Sequence, residues 1–407
     1  MTRLMSVRHH APVHSRGICD VEATVVRTST ATEIFARCAP IASATSKNGC
    51  ATQSRVLYDS LAELLRSLDA DLGNVVIEKA YFRNLRGDYD DFEQARRDAY
   101  RKRGVTGTLL PATTYLGQPP CRPGQDVELQ AYALVPASVG AVRVETVPCD
   151  HEHVAAKSIT VGEARHLYVA NVTAAGLNGK PAPAFRQQSD AIFEIAREIV
   201  RRQGASFADV LRTWIYLDDI DRDYDELNAS RNAFFERAGV RRLPASTGIG
   251  GGSHPRGSLC VVDAYALLNP EIARIEVMQT PTLNEAPEYG SAFSRGMKMA
   301  LGEQTYLFIS GTASVDECGA TAHVGELRPQ IERMLRNVQE LLQAQGATFA
   351  DLAHAVTYLK SACYADRYRQ ICAEWGVEEV PHTIVEANVC RPELLTEMEA
   401  VAVIRAV

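Results

Sequence analysis

No run of 18 or more apolar residues occurs in the 407-residue chain, so no helix is expected to cross a bilayer. Blocks of basic residues are missing too. With 43 Lys+Arg against 50 Asp+Glu the formal net charge is -7, which disfavours nucleic acid and anionic membranes as partners. The first residues carry Arg3, Arg8 and His9 but no apolar stretch, so no secretory signal is expected. The ten cysteines include no C-x-x-C pair and no Cys/His cluster at zinc-finger spacing. They are expected to be reduced thiols of a cytoplasmic protein, mostly small core residues. G-x-S-x-G, H-E-x-x-H and the P-loop pattern are all absent, the ten histidines form no metal-ligand motif, and His166, His254, His323, His354 and His382 are isolated in sequence. No metal, cofactor or nucleotide phosphate is therefore expected.

What the chain does have is a threefold internal repeat. "GASFADVLRTWIYL" (204–217) returns as "GATFADLAHAVTYL" (346–359), with a weaker copy in "LGNVVIEKAYF" (72–82). Each passes from glycine through a short link into an alternating apolar run, as a helix C-cap leading to a strand should. Phe82, Leu217 and Leu359 mark equivalent positions, at spacings of 135 and 142 residues. A polar helix follows each time (89–105, 224–240, 364–377), ending in Gly-Val. Next come a Pro-marked extended segment (109–116, 242–250, 380–389) and a last strand (127–134, 260–267, 397–404). Ahead of each copy stand a strand (33–41, 166–174, 306–314) and a long helix (54–68, 189–204, 327–346). Apolar residues of the long helices recur at i, i+3, i+4 and i+7, so one face packs on a sheet. Each module reads as an α+β layer with two helices on one sheet face. The expected modules are 1–150, with an irregular leader, 151–285 and 286–407.

This pattern resembles the RidA/YjgF family, through "ISGTASVD" (309–316), "GATFADLAHAVTYL" and "CRPELLTEMEAVAV" (390–403). The small subunits of that family assemble as trimers with a ligand cleft at each boundary. The resemblance thus implies three chorismate-mutase-like modules forming an intramolecular pseudo-trimer, with the whole chain a monomer. Residues 160–407 also resemble the chorismatases, through "RTWIYL" (212–217), "PASTGIGG" (244–251), "YGSAFSRG" (289–296), "ISGTAS" and "CRPELLTEME" (390–399). That resemblance implies a cofactor-free enzyme of secondary metabolism acting on a small dicarboxylate, chorismate. It would release pyruvate and a hydroxybenzoate, 3-hydroxybenzoate favoured.

Cleaving the enolpyruvyl ether of chorismate needs a proton for the vinyl carbon and arginines for the two carboxylates. A free Glu titrates near 4.3, so the acid must be desolvated or sit beside negative charge. Alternation in the last strand puts Glu397 and Glu399 on one face and Met398 on the other. Glu128 holds the matching place in the first module and Val261 in the second. The chorismatase resemblance implies that Glu397 is the proton donor, although Glu-x-Glu also suits a solvated sheet face. Arg391 lies where the RidA family binds carboxylates, and arginine can do so bidentately. Cys390 and Gly311 resemble residues of hydroxybenzoate-forming chorismatases and are expected to bias the fate of the ring. Cys390 has no evident histidine partner, so it is no nucleophile, and a buried apolar role is its alternative. Arg212, Trp214 and Tyr216 share one face of a central strand. Arg212, Tyr216, Tyr289 and Arg295 are expected to reach the substrate between the second and third modules. The glycines at 248 and 250–252 are expected to let backbone approach a ligand. Two rival readings stand beside it: an enamine/imine deaminase of the RidA type, which needs the carboxylate-binding arginine but not "RTWIYL" or "STGIGG", and a binding protein or enzyme for another small carboxylate.

Overall fold

The computed structural model describes residues 7–9, 18–41, 49–174, 184–280, 283, 292–377 and 380–406. Three antiparallel-rich sheets follow one another along the chain, of seven, six and six strands. The strand order is the same in each. In the third it runs Arg274–Val277, Gly296–Leu301, Gln304–Ala313, Thr396–Arg405, Leu352–Leu359, His382–Glu386. Only the Pro-marked strand is parallel to its neighbour, because a helix returns the chain between them. The strand Val142–Val147 pairs into the second sheet and Arg274–Val277 into the third. The sheets therefore begin before the boundaries expected at 151 and 286. Both strands form hairpins that patterning alone assigned to the preceding module.

Each sheet carries two helices on one face: Gly49–Ser67 with Leu85–Arg101, Phe185–Arg202 with Ile220–Arg237, and Leu327–Gln343 with Ala365–Glu374. The two longer polar helices start about a turn earlier than their patterning predicts. Asn84 and Asp219 cap them by accepting from Gly87 N and Arg222 N. Leu57, Leu61 and Leu64 in the first long helix, Ile192 and Ala196 in the second, and Ile331, Leu335 and Val338 in the third form the stripes that pack on the sheets.

The other sheet faces meet one another. One shared cluster joins Phe35 of the first module, Leu211 and Tyr265 of the second, and Met297 and Phe308 of the third. A second joins Tyr81, Tyr216 and Tyr358 with Ile249, Val261 and Val385. The contacts run cyclically. Cys390 packs against the second module's core, Cys121 lies within the third's, and His254 stacks on Tyr89 of the first. The chain is thus an intramolecular pseudo-trimer with its sheets turned inward. Leu335 is fully buried between helix and sheet. Leu335→Ala is expected to lose roughly 2–5 kcal/mol, read as a lowered urea midpoint for the third module.

Candidate active site

A cavity of about 280 Å³ opens between the second and third modules. Glu397 forms its acidic wall. In the last strand Thr396–Arg405, Met398, Ala400 and Ala402 pack into the module's own core, so the alternate face with Glu397 and Glu399 points between modules, and Glu397 is 4% exposed. Burial, and then the charge of Glu399, push its carboxyl up to about 8, against the pull of Arg212, Arg295 and Arg391. It is protonated at neutral pH. Among the described residues none donates a hydrogen bond to it.

Gly311 covers this acid. A bulge sets Ser310 and Gly311 opposite Glu399, between the pairs Ile309–Ala400 and Thr312–Met398. A Cβ at 311 would overlap Glu397 Oε1 and lie 2.9 Å from Cδ. The carboxyl can occupy this place only because residue 311 lacks a side chain. Seams from the second module fix the bulge. Thr247 Oγ1 accepts from Gly311 N at 2.9 Å, and Ser310 Oγ accepts from Ser246 N at 2.9 Å. Ser310 Oγ in turn donates to Ser294 O at 2.6 Å, which anchors the residue preceding Arg295.

Arg295 and Arg391 both line the cavity, as do Cys390 and Gly311. Arg391 Nη1 donates to Gly319 O at 2.7 Å. Burial pushes the Cys390 thiol up to about 12, so it is no thiolate. Two expected residues are placed elsewhere. Arg212, 1% exposed, is absent from the cavity wall. Its guanidinium is held by Glu399 at 2.7 Å and Thr247 at 2.6 Å, because its strand faces the neighbouring last strand and not the opening. Tyr216 is buried at the centre, where its hydroxyl accepts from Lys79 Nζ at 2.9 Å. Tyr289 lies outside the described residues. Of the glycine loop, Gly248 lines the cavity, whereas Gly250 admits Asn388, whose O a Cβ would meet at 2.9 Å.

Sequence reasoning missed Tyr224, Asn228 and Arg231 on the helix Ile220–Arg237, and Phe293 beside them. Arg231 is buried, with Nη2 donating to Asn228 Oδ1 at 2.6 Å and its Cζ 5.7 Å from the Phe293 ring. The signal was present, since 224, 228 and 231 are spaced i, i+4, i+7 and so share one helix face.

Comparison with the other two clefts explains why this one is open. The first module repeats Cys121, Arg122, Pro123 and Glu128 at the spacing of Cys390, Arg391, Pro392 and Glu397. There the bulge is missing, and Arg37 stands opposite Gln130. Arg37 Nε and Nη2 donate to the two Glu128 oxygens at 2.6 and 3.1 Å. An arginine thus occupies the place against the glutamate that glycine leaves empty in the third module. In the remaining cleft Val261 replaces the acid. Arg96, the counterpart of Arg231 by the 135-residue spacing, is bound by Glu78 at 2.8 Å and Glu93 at 3.1 Å. His254, in the cysteine's place, stacks on Tyr89 with centroids 3.6 Å apart. Among the described residues, only the second–third cleft combines a protonated acid with several arginines on its walls.

The raised Glu397 value fixes the sign of a stability effect. Folding disfavours the ionised form, so its contribution is complete below about 4.5 and is lost as pH rises towards about 8. Wild type should lose stability relative to Glu397→Gln across that window and keep a constant deficit above it. Urea midpoints of the two proteins from about pH 4 to about pH 9 measure this. A flat difference would mean an ordinary carboxyl.

Residues 284–404 match the family described as Endoribonuclease L-PSP. Over 250 residues the chain is 26% identical to the 3-hydroxybenzoate synthase of Streptomyces hygroscopicus, covering 55% of this chain and 70% of that one. A RutC family protein of Pyrococcus abyssi is 24% identical over 119 residues, 29% of this chain and 91% of its own. Among solved structures, a chorismatase superposes with a TM-score of 0.60 at 18% identity, covering 81% of this chain and 93% of that one. The fold, the inward-facing triple sheet and these likenesses agree: the chain is chorismatase-like, three RidA/YjgF-like modules fused in one polypeptide.

Proposed function

We propose that the chain is an enzyme that cleaves the enolpyruvyl ether of chorismate, releasing pyruvate and a hydroxybenzoate, 3-hydroxybenzoate foremost. One observation carries the reading: a buried carboxylic acid, protonated at neutral pH, at the wall of a cavity that also bears Arg231, Arg295 and Arg391. The likeness to a 3-hydroxybenzoate synthase supports the substrate. Glu397 delivers its proton to the enolpyruvyl methylene carbon, and the developing cation is captured by water or by the neighbouring ring hydroxyl. After water capture, collapse of the hemiketal frees pyruvate and a ring diol, which becomes aromatic by losing a ring proton and hydroxide. After capture by the ring hydroxyl, the cyclic ketal expels pyruvate as a ring C–O bond breaks, and loss of a ring proton alone completes the aromatic product. Chorismate divides into these two products with no net water. The arginines hold the substrate carboxylates, and each such charged hydrogen bond contributes roughly 1.5–3 kcal/mol. Arg212 acts on Glu397 through its charge and through Thr247, and does not touch substrate. Cys390 and Gly311 set which product the ring becomes. The enzyme works as a cytoplasmic monomer without cofactor or metal.

The test is chorismate turnover with chromatography for pyruvate and aromatic acids. Glu397→Gln should lower kcat about 10²- to 10⁴-fold. Arg231→Met should lower kcat/KM about 10- to 100-fold. The wild-type rate should fall about tenfold per pH unit above about 8, where the acid ionises. Equal activity in Glu397→Gln would sink the assignment.

A further inference from the structure

A second, larger cavity, of about 510 Å³, lies on the axis where the three sheets meet. It shares no lining residue with the cleft of Glu397. Its volume falls in the range of small-molecule sites. Beside Trp214 of the second module, every module contributes a pair of rings to its wall: Phe35 and Tyr132, Tyr168 and Tyr265, Tyr306 and Phe308. They form a continuous belt, with neighbouring centroids 5.0, 6.0, 4.7, 5.3 and 6.3 Å apart.

Glu33 sits in this belt and is 6% exposed. Its carboxylate accepts from Tyr132 Oη at 2.7 Å and from Tyr306 Oη. Among the described residues no cation pairs with it. Burial without a counter-charge pushes the Glu33 carboxyl above its usual range, and the phenol hydrogen bonds offset only part of that cost, so a cation bound beside it is what would restore its charge. Glu163 and Glu303, on hairpin turns of the second and third modules, also line the cavity. Among the described residues the one Lys or Arg on the wall is Lys79, which lies 3.7 Å from Asp263 and 3.8 Å from the Trp214 centroid, so it is already engaged. His166 and His354, lowered to about 4 by burial, are neutral. Gln304 Nε2 and His354 Nδ1 are buried there without a hydrogen-bond partner. Aromatic walls around a carboxylate attract organic cations through ring faces and charge together.

We propose that this axial cavity is a second ligand site, which takes an aromatic or aliphatic amine as its ammonium ion, with the charge set against Glu33. The amine is bound and not transformed. The proposal stands apart from chorismate cleavage, so either can fail alone.

The test is isothermal titration of the full chain at pH 7 with 2-phenylethylammonium and with its near-isostere 2-phenylethanol. The expected result is one saturable site, at least about tenfold tighter for the ammonium, as one desolvated cation–aromatic contact gives. Glu33→Gln should erase that preference, and Glu397→Gln should leave it unchanged. The two-ligand comparison on wild type decides the matter even if Glu33→Gln does not fold. Equal affinity for the alcohol, no saturable binding of the ammonium, a preference that survives Glu33→Gln, or its loss in Glu397→Gln would each overturn the proposal.

Discussion

The ion pair between Arg212 and Glu399 is the interaction on which the site depends. Both side chains are almost wholly buried, and the pair crosses from the second module to the third. The same guanidinium reaches Thr247, whose hydroxyl oxygen accepts from the bulge at Gly311, and Trp214 Nε1 donates to Glu399 at 3.1 Å. Two glutamates point from one strand face, and one guanidinium is paired with only one of them. Glu399 takes it. Glu397, two residues away and without such a partner, is left to desolvation and its neighbour's charge, which keep its proton on. Removing either member of the pair would leave a buried charge unanswered, and the geometry of Thr247 and Gly311 would go with it.

The pair is one of three related seams. Lys79 of the first module lies against Asp263 of the second, in register with Glu399. Gln130 of the first reaches Ala355 O of the third at 3.3 Å. A trimer of identical subunits must carry three identical clefts. Fusion removes that constraint. Here one cleft keeps acid and arginines apart, one cancels Glu128 with Arg37, and one fills its mouth with His254 on Tyr89. The two altered clefts carry internally satisfied networks of the kind that rigidify a fold.

The threefold repeat, the helix and strand order, and the placing of Glu397, Arg391, Cys390 and Gly311 around one cleft were legible in the sequence. Periodicity and spacing report directly on which face a side chain occupies. Arg212 was misread because a strand pattern gives the face but not the partner. That face meets Glu399, 187 residues away, which no local pattern reveals. Arg231 went unseen because a polar helix face looks solvated until a neighbouring module covers it. The early strands Val142–Val147 and Arg274–Val277 were attached to the wrong modules because hairpin pairing, and not composition, decides the sheet they join.

The loop before Glu128 has a consequence for how the chain is made. Cys121 N donates to Ile384 O, and Pro119 O accepts from Glu386 N at 2.8 Å, so this loop of the first module rests on the third, the last to be made. During synthesis the first two modules must therefore wait, each with an inward sheet face and one flank exposed, until more than a hundred further residues have been added. The same third module then closes the ring and supplies Glu397. Ring closure and chemical competence arrive in a single late event, so a nascent chain holds no half-built acid site before its core is sealed.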